Sequence, residues 1–306
     1  MIKRLAIGFA GLTVAALAPA FADEPYYGPS QPQSRSRAGH GDVTLTYQYV
    51  HVDGGNAGGV TLDIGTADSH AVNVDLDLAL TNRLTASFSV PIIVKRYQGS
   101  RPHNPAFLIP PRDSKFLDDG TYHGAFQDFS FGLRYLLVDG PLSVEPFFTV
   151  SIPTHDYTFF AASAVGQGLN RYQIGSTFSY TPPLDDYFAS LSASRVFVER
   201  TLGRDIDHWR VDAEVGYFLT ANLAARAFAL VKQGGGLTAV DFAVRTDELW
   251  FQHDRLLKHN FVNVGGGFIW SFDDSRALSL SAMRMVRARD IQRMRYTITV
   301  GLTQAF

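Results

Sequence analysis

From Asp42 to the C-terminus the chain repeats with a period of two. Val72, Val74, Leu76, Leu78 and Leu80 share one face of an extended segment, and Asn73, Asp75, Asp77 and Ala79 share the other. The pattern recurs in Leu84, Ala86, Phe88, Val90, Ile92 and Val94 against Thr85, Ser87, Ser89 and Lys95. It recurs again in Phe129, Phe131, Leu133 and Tyr135 against Asp128, Ser130, Gly132 and Arg134, and in Trp209, Val211, Ala213, Val215, Tyr217 and Leu219 against Arg210, Asp212, Glu214 and Gly216. It predicts strands over 42–51, 70–80, 84–96, 125–138, 142–153, 170–181, 186–199, 207–220, 223–234, 258–272, 276–289 and 293–306, with no helix and no second domain.

The connections alternate in length. Short ones fall at Thr81–Arg83, Asp139–Pro141, Pro182–Asp185, Thr220–Asn222 and Asp273–Ser275. Longer ones fall at about 52–69, 97–124, 154–169, 200–206 and 235–257, with a brief one near 290–292. Short turns on one side and long loops on the other are the habit of transmembrane barrels. The expected fold is therefore all-β: a transmembrane antiparallel up-and-down β-barrel of about twelve strands over 42–306. The charged face of each strand then looks inward, because a carboxylate or guanidinium in hydrocarbon is costly.

The N-terminus changes where this barrel should sit. Lys3 and Arg4 precede an apolar stretch, Leu5–Ala18, and Ala20-Phe21-Ala22 reads as a cleavage site, so 1–22 is expected to be a signal peptide. Residues 23–41, rich in Pro, Ser, Gly and Arg, read as a flexible periplasmic segment. Export points to the outer membrane of a Gram-negative cell, and an even strand count puts both termini on the periplasmic side. There is no cysteine, hence no lipid-anchoring Cys and no disulfide. Beyond the signal peptide no apolar run is long enough for a membrane helix. A formal net charge of −2 is not the balance of a nucleic-acid binder.

The last strand places Tyr296, Ile298, Val300, Leu302 and Phe306 on one face, with Gln304 departing from it. It resembles the terminal signal read by the bacterial barrel-assembly machinery, which is one expected partner; membrane lipid and a small-molecule solute are the others. Gly124–Leu137 (GAFQDFSFGLRYLL), Phe147–Tyr157 (FFTVSIPTHDY) and Ala164–Tyr180 (AVGQGLNRYQIGSTFSY) together resemble segments of the MetA-pathway of phenol degradation family. His155 stands where that family carries a glycine. The resemblance implies an outer-membrane barrel with a transport role near aromatic degradation.

The candidate lumen-lining residues are Asp75, Asp77, Lys95, Asp128, Arg134, Glu145, Arg210, Asp212, Glu214, Arg226 and Lys232, with Arg287, Arg289 and Arg295 towards the outer mouth. They could select solute, or pair and fill a narrow barrel; a twelve-strand barrel lies between filled and open sizes. Arg195 and Arg284 would face lipid under strict alternation, which predicts a bulge in each strand or a place near the rim. Every histidine except His40 falls at the long-loop end, so some could converge on a metal or titrate together. His155-Asp156 and His253-Asp254 are the candidate pairs for a hydrolase, but adjacent residues on an extended chain point apart, so neither is a dyad by itself. No serine has a nucleophile context, and no catalytic residue, metal site or cofactor is expected. Gly265 and Gly267 read as inward positions allowing close strand approach. Tyr187, Tyr217, Trp270, Phe272 and Phe306 would form one aromatic girdle, and Tyr49, Phe197, Trp209 and Tyr296 the other. The leading expectation is a channel for small solutes, with aromatic or hydrophobic compounds suggested by the resemblance. The alternatives are a membrane-embedded hydrolase and a non-conducting surface or structural barrel.

Overall fold

The computed structural model describes residues 38–57, 60–99, 117–183, 185–238 and 247–306. The expected signal peptide and most of the expected periplasmic segment lie outside them. Residues 38–41, expected as the end of that segment, run along the β2 terminus: Gly39 N donates to Ala79 O at 2.8 Å and Ala38 N to Asn82 Oδ1 at 3.1 Å.

The strands are β1 (Gly41–Ala57), β2 (Val60–Ala79), β3 (Leu84–Gln98), β4 (His123–Phe126), β5 (Asp128–Tyr135), β6 (Leu142–Pro153), β7 (Arg171–Tyr180), β8 (Tyr187–Val198), β9 (His208–Thr220), β10 (Leu223–Gly234), β11 (Asn260–Ser271), β12 (Arg276–Arg289) and β13 (Ile291–Ala305). Two short helices, α1 (Asp247–Phe251) and α2 (His253–Leu256), precede β11. At four and five residues they are too short to show a helical period, which is why alternation alone misses them. Neighbouring strands pair antiparallel, β2 pairs with β3, and β13 returns to β1, closing a ring of twelve crossings. β4 and β5 form one crossing interrupted at Gln127. Opposite it, Pro91 of β3 has no N–H to give the ladder, and only its carbonyl is used, accepting from Gln127 N at 3.0 Å.

The outer surface carries a belt of exposed apolar side chains that includes Val74, Phe131, Ile174, Leu191, Val215, Phe268, Leu280 and Leu302. An apolar surface that surrounds the ring has one compatible solvent, lipid, so the strands span a membrane. Among the described residues no helix is long and apolar enough to cross one. Tyr187, Tyr217, Trp270, Phe272 and Phe306 are exposed at the short-turn end; Phe197, Trp209 and Tyr296 are exposed at the other end, where Tyr49 is half-buried beside His70 and Tyr296.

The segment 52–69, expected as a loop, is instead strand. β1 and β2 continue as a hairpin, paired to Ala57↔Val60. β2 has 20 residues, which at about 3.3 Å each is far more than a tilted crossing needs, so the hairpin stands clear of the membrane.

Candidate functional site

The inner face is built from the polar half of each alternation. An ion pair that skips a strand can form only across the concave side of a closed sheet. Arg134 of β5 reaches Asp77 of β2 at 3.1 Å, and Arg171 of β7 reaches Asp128 at 2.6 Å. On the adjoining wall Arg210 clasps Asp212 through Nε at 3.0 Å and Nη2 at 3.2 Å, and Arg226 meets Glu214 at 3.3 Å with both side chains buried. Asp75 accepts from Asn73 Nδ2 at 2.6 Å, Glu145 lies in the field of Arg134, and Lys232 is buried on β10 opposite Arg210. Lys95 is buried at 2% exposure on β3. Arg287, Arg289 and Arg295, expected on the inward face near the outer mouth, are corrected: all three are exposed, and the register slips beside Val286 and at Arg295 put them on the outer rows.

The inward row from β12 through β13 to β1 is mostly hydroxyl and amide in its lower half, with Asp42 at its end in the field of Arg134. Thr44, Thr46, Gln48, Thr297, Thr299, Thr303, Ser279 and Ser281 are buried there, with Thr44 Oγ1 and Thr303 Oγ1 2.9 Å apart and Gln48 Nε2 donating to Thr299 Oγ1 at 3.2 Å.

The segment 154–169, expected as an outer loop, does not stand outside the barrel. Its middle, Phe160–Gln167, is buried. It leaves from β6, returns to β7, and reaches the opposite wall: Gln292 Nε2 of β13 donates to Ala162 O at 3.3 Å, and Lys95 Nζ donates to Ala164 O at 3.4 Å. Asp118 accepts from Ala162 N, Ser163 N and Ser163 Oγ at 2.7–3.0 Å. Tyr157 OH donates to Asp128 and accepts from Gly168 N at 3.0 Å. The loop thus crosses the lumen and narrows it. Sequence reasoning missed this because the segment's small and apolar residues (Phe160-Ala161-Ala162, Ala164-Val165) carry no period, and their composition was the available signal.

Above the loop the interior turns apolar. Val50, Val52, Phe228, Leu230, Met283, Met285, Ile291 and Met294 form one buried cluster with Ala162. Gly265 makes room for Phe228, since a Cβ there would lie 2.6 Å from its ring. A second cluster, with Leu237 and Leu256 against Val196, Val198 and Ile206, caps the β8–β9 side. Arg255, beside it over the Phe159 ring, has its guanidinium pulled down to about 10 by burial and stays charged at neutral pH. Burial also pushes the His259 imidazole down to about 3.

The wall itself opens between β12 and β13. Their ladder runs from Arg276↔Gln304 to Met283↔Thr297 and ends, although β12 continues to Arg289 and β13 begins at Ile291. Beyond that point β12 pairs with β11 and β13 with β1. Both outer partnerships are bulged. The β11–β12 register slips beside Val286, and the β1–β13 register slips twice, at Arg295 and at Asp53-Gly54, where Gly54 takes φ +73°. A bulge increases local twist. The two strands turn towards their other neighbours and part. The opening holds a cavity of about 790 Å³ lined by Met283, Met285 and Met294 inside and Arg284, Arg293 and Arg295 at its rim.

The two lipid-side arginines have different settings. Arg195 keeps its outward place without a bulge in β8, lying 5.4 Å over Trp209 and 3.9 Å from Asp207 near the long-loop rim. Arg284 does have a bulge beside it and still faces out. The described histidines do not gather at one site, although His51 and His70 share the ring group of Tyr49 and Tyr296. His51 binds Asp68 at 2.9 Å, His70 sits between Tyr47 and Tyr122, His123 binds Asp119 at 2.9 Å, and His155 contacts Thr154 at 2.8 Å. His208 and His259 are buried, and His103 lies outside the described residues. Among the described residues no group of three potential ligands could hold a metal. His253 and Asp254 do touch, at 3.2 Å, because they share a helical turn rather than an extended strand.

No family model and no curated protein matches the chain. Solved structures do. An outer membrane channel from Pseudomonas putida F1 aligns with TM-score 0.66 at 12% identity, over 89% of this chain and 97% of that one. The translocator domain of the autotransporter NalP from Neisseria meningitidis aligns with TM-score 0.50 at 12% identity, over 89% and 90%. At such identity the likeness establishes the barrel fold.

Proposed function

We propose that the chain is an outer-membrane channel for small solutes, and that it passes apolar or aromatic compounds through the opening between β12 and β13. The observation that carries this reading is the Met-lined cavity, which joins the outer surface at the split to the buried apolar cluster inside. A thioether wall is apolar, polarizable and adaptable, and suits small apolar guests of varied shape. The charged lumen below is internally paired and crossed by a loop, so it offers hydrated ions a narrow path. The resemblance of Gly124–Leu137, Phe147–Tyr157 and Ala164–Tyr180 to a family associated with aromatic degradation supports the same solute class. The same reading places the chain in the outer membrane with both termini periplasmic, and the expected export signal over 1–22 and the even number of crossings support it. Assembly through the strand that ends in Phe306 belongs to the same reading.

The test is uptake of a radiolabelled monoaromatic hydrocarbon by intact Gram-negative cells that make the chain. Uptake faster than in cells making a barrel of similar abundance supports the reading; equal rates overturn it. A closed, non-conducting barrel is the second reading, favoured by the inserted loop and the internal ion pairs. Silence in both the uptake assay and a planar bilayer would support it.

A further inference from the structure

We infer that the rim of the opening, formed by Arg284, Arg293 and Arg295, binds the phosphate of a phosphorylated lipid in the surrounding leaflet. The inference does not rest on the transport reading, because it concerns the outer surface of the wall.

Arg284 lies on the same outward row of β12 as Leu280 and Ala282, the row that faces lipid. Among the described residues it makes no hydrogen bond and no ion pair. A guanidinium on a lipid-facing row is unfavourable unless it reaches an anion or water. Across the split, Arg293 and Arg295 share one carboxylate. Arg295 Nη1 donates to Asp53 Oδ2 at 2.8 Å, Arg293 Nη2 approaches the same oxygen at 3.4 Å, and Arg293 Nε donates to Asp53 O at 3.0 Å. Three guanidiniums against one carboxylate leave two positive charges at one cavity. A phosphomonoester carries about 1.5 to 2 negative charges near neutral pH and offers several acceptor oxygens to planar guanidinium donors.

The depth fits as well. Tyr296 lines the same cavity and belongs to an outward aromatic group with Tyr49, His51 and His70, ring centroids 5.1–6.0 Å apart. Tyrosines of such a girdle mark the boundary between hydrocarbon and headgroups, where lipid phosphates lie. The unpaired edges of β12 and β13 add backbone groups that need polar company at that depth. A headgroup seated there would satisfy them, and its acyl chains would run down over Ala282 and Leu280.

Native mass spectrometry of the full-length processed barrel in detergent can test this with lipid A carrying two phosphates, its dephosphorylated form, and inorganic phosphate. The expected result is binding of phosphorylated lipid A that falls at least tenfold for the dephosphorylated form and for the R284Q/R293Q/R295Q variant. Inorganic phosphate in millimolar amounts should weaken the lipid signal only slightly. Equal binding by both lipids would overturn the inference, since acyl chains alone would then explain it. Binding of inorganic phosphate as tight as that of the lipid would overturn it too, in favour of a free-anion site. If the triple variant fails to assemble, R284Q alone decides: it removes no internal ion pair, and unchanged affinity for phosphorylated lipid A would contradict the assignment.

Discussion

The side-chain amide of Gln292 donates to the backbone carbonyl of Ala162 at 3.3 Å, joining the last strand to the middle of a loop rooted on the far side of the barrel. Lys95 reinforces the joint, reaching both Gln292 Oε1 and Ala164 O at 3.4 Å. This polar node ties the loop to the far wall, beside the hydrogen bonds that Asp118 accepts from Ala162 and Ser163.

Gln292→Leu should loosen that node. The lost hydrogen bonds are worth about 1 kcal/mol each, enough to let the loop leave the far wall part of the time. Planar-bilayer recording should show larger or more frequently open conductance than wild type. Protease cleavage within 158–166 should also rise. An unchanged trace and an unchanged digest would mean that Asp118 and the apolar contacts hold the loop without Gln292.

The Arg226–Glu214 pair supports a second expectation. Both side chains are 1% exposed and 3.3 Å apart. Removing one partner leaves a buried charge and should cost about 3 to 5 kcal/mol, whereas replacing both together should cost much less. Glu214→Gln should lower the urea midpoint more than Glu214→Gln combined with Arg226→Met. Val215→Asp, its outward neighbour, should impair membrane insertion, because it puts charge into lipid. Heat-modifiable gel migration reads assembly in each case.

His259 sets a pH window. Its ordinary value of 6.5 applies in the unfolded chain, and burial lowers it to about 3 in the folded one. Between these values the unfolded chain binds more protons, so stability rises with pH. The contribution is complete above about pH 6.5 and falls by about 1.4 kcal/mol per unit as pH drops towards 3. His259→Leu should flatten that part of the stability profile relative to wild type. Parallel profiles in urea titrations from pH 7 to pH 4 would show that His259 has no such role.

Topology can be read with single cysteines, because the native chain has none. Introduced at Asp139 or Ala221, a thiol should resist an impermeant maleimide in intact cells and react after lysis. At Leu202, in the β8–β9 loop, it should react at once. At Ala162 it should resist in both states, since the inserted loop buries that residue. Labelling of Asp139 or Ala221 positions in intact cells would invert the orientation.

Alternation was enough to place every crossing, because one face of each strand meets lipid and a single polar residue there is costly. Val74 and Asp75 could be assigned to opposite faces from spacing alone for that reason. The same rule put Met283 and Met285 on the inner face of β12 but gave no hint that the wall parts beside them. That feature depends on the register of β1 against β13, where Arg295 is an extra residue and Asp53-Gly54 stand against Arg293 alone, and register between distant strands is not written in local pattern. The inserted loop was illegible for a related reason. Its contacts join Ala162 to Gln292 and Ala164 to Lys95, residues far apart in the chain. Arg295 was misplaced because a bulge changes which face a residue takes.

If apolar solutes cross at the split between β12 and β13, as proposed, blocking that opening should stop them. Met283→Trp and Met294→Trp should fill the cavity from inside, while Leu280→Trp, on the lipid-facing row below it, serves as control. Uptake of a radiolabelled monoaromatic hydrocarbon should fall severalfold in both methionine variants and match wild type in the control, with all three barrels assembled by heat-modifiable migration. Wild-type uptake in Met283→Trp and Met294→Trp would mean that the solutes do not pass through the split.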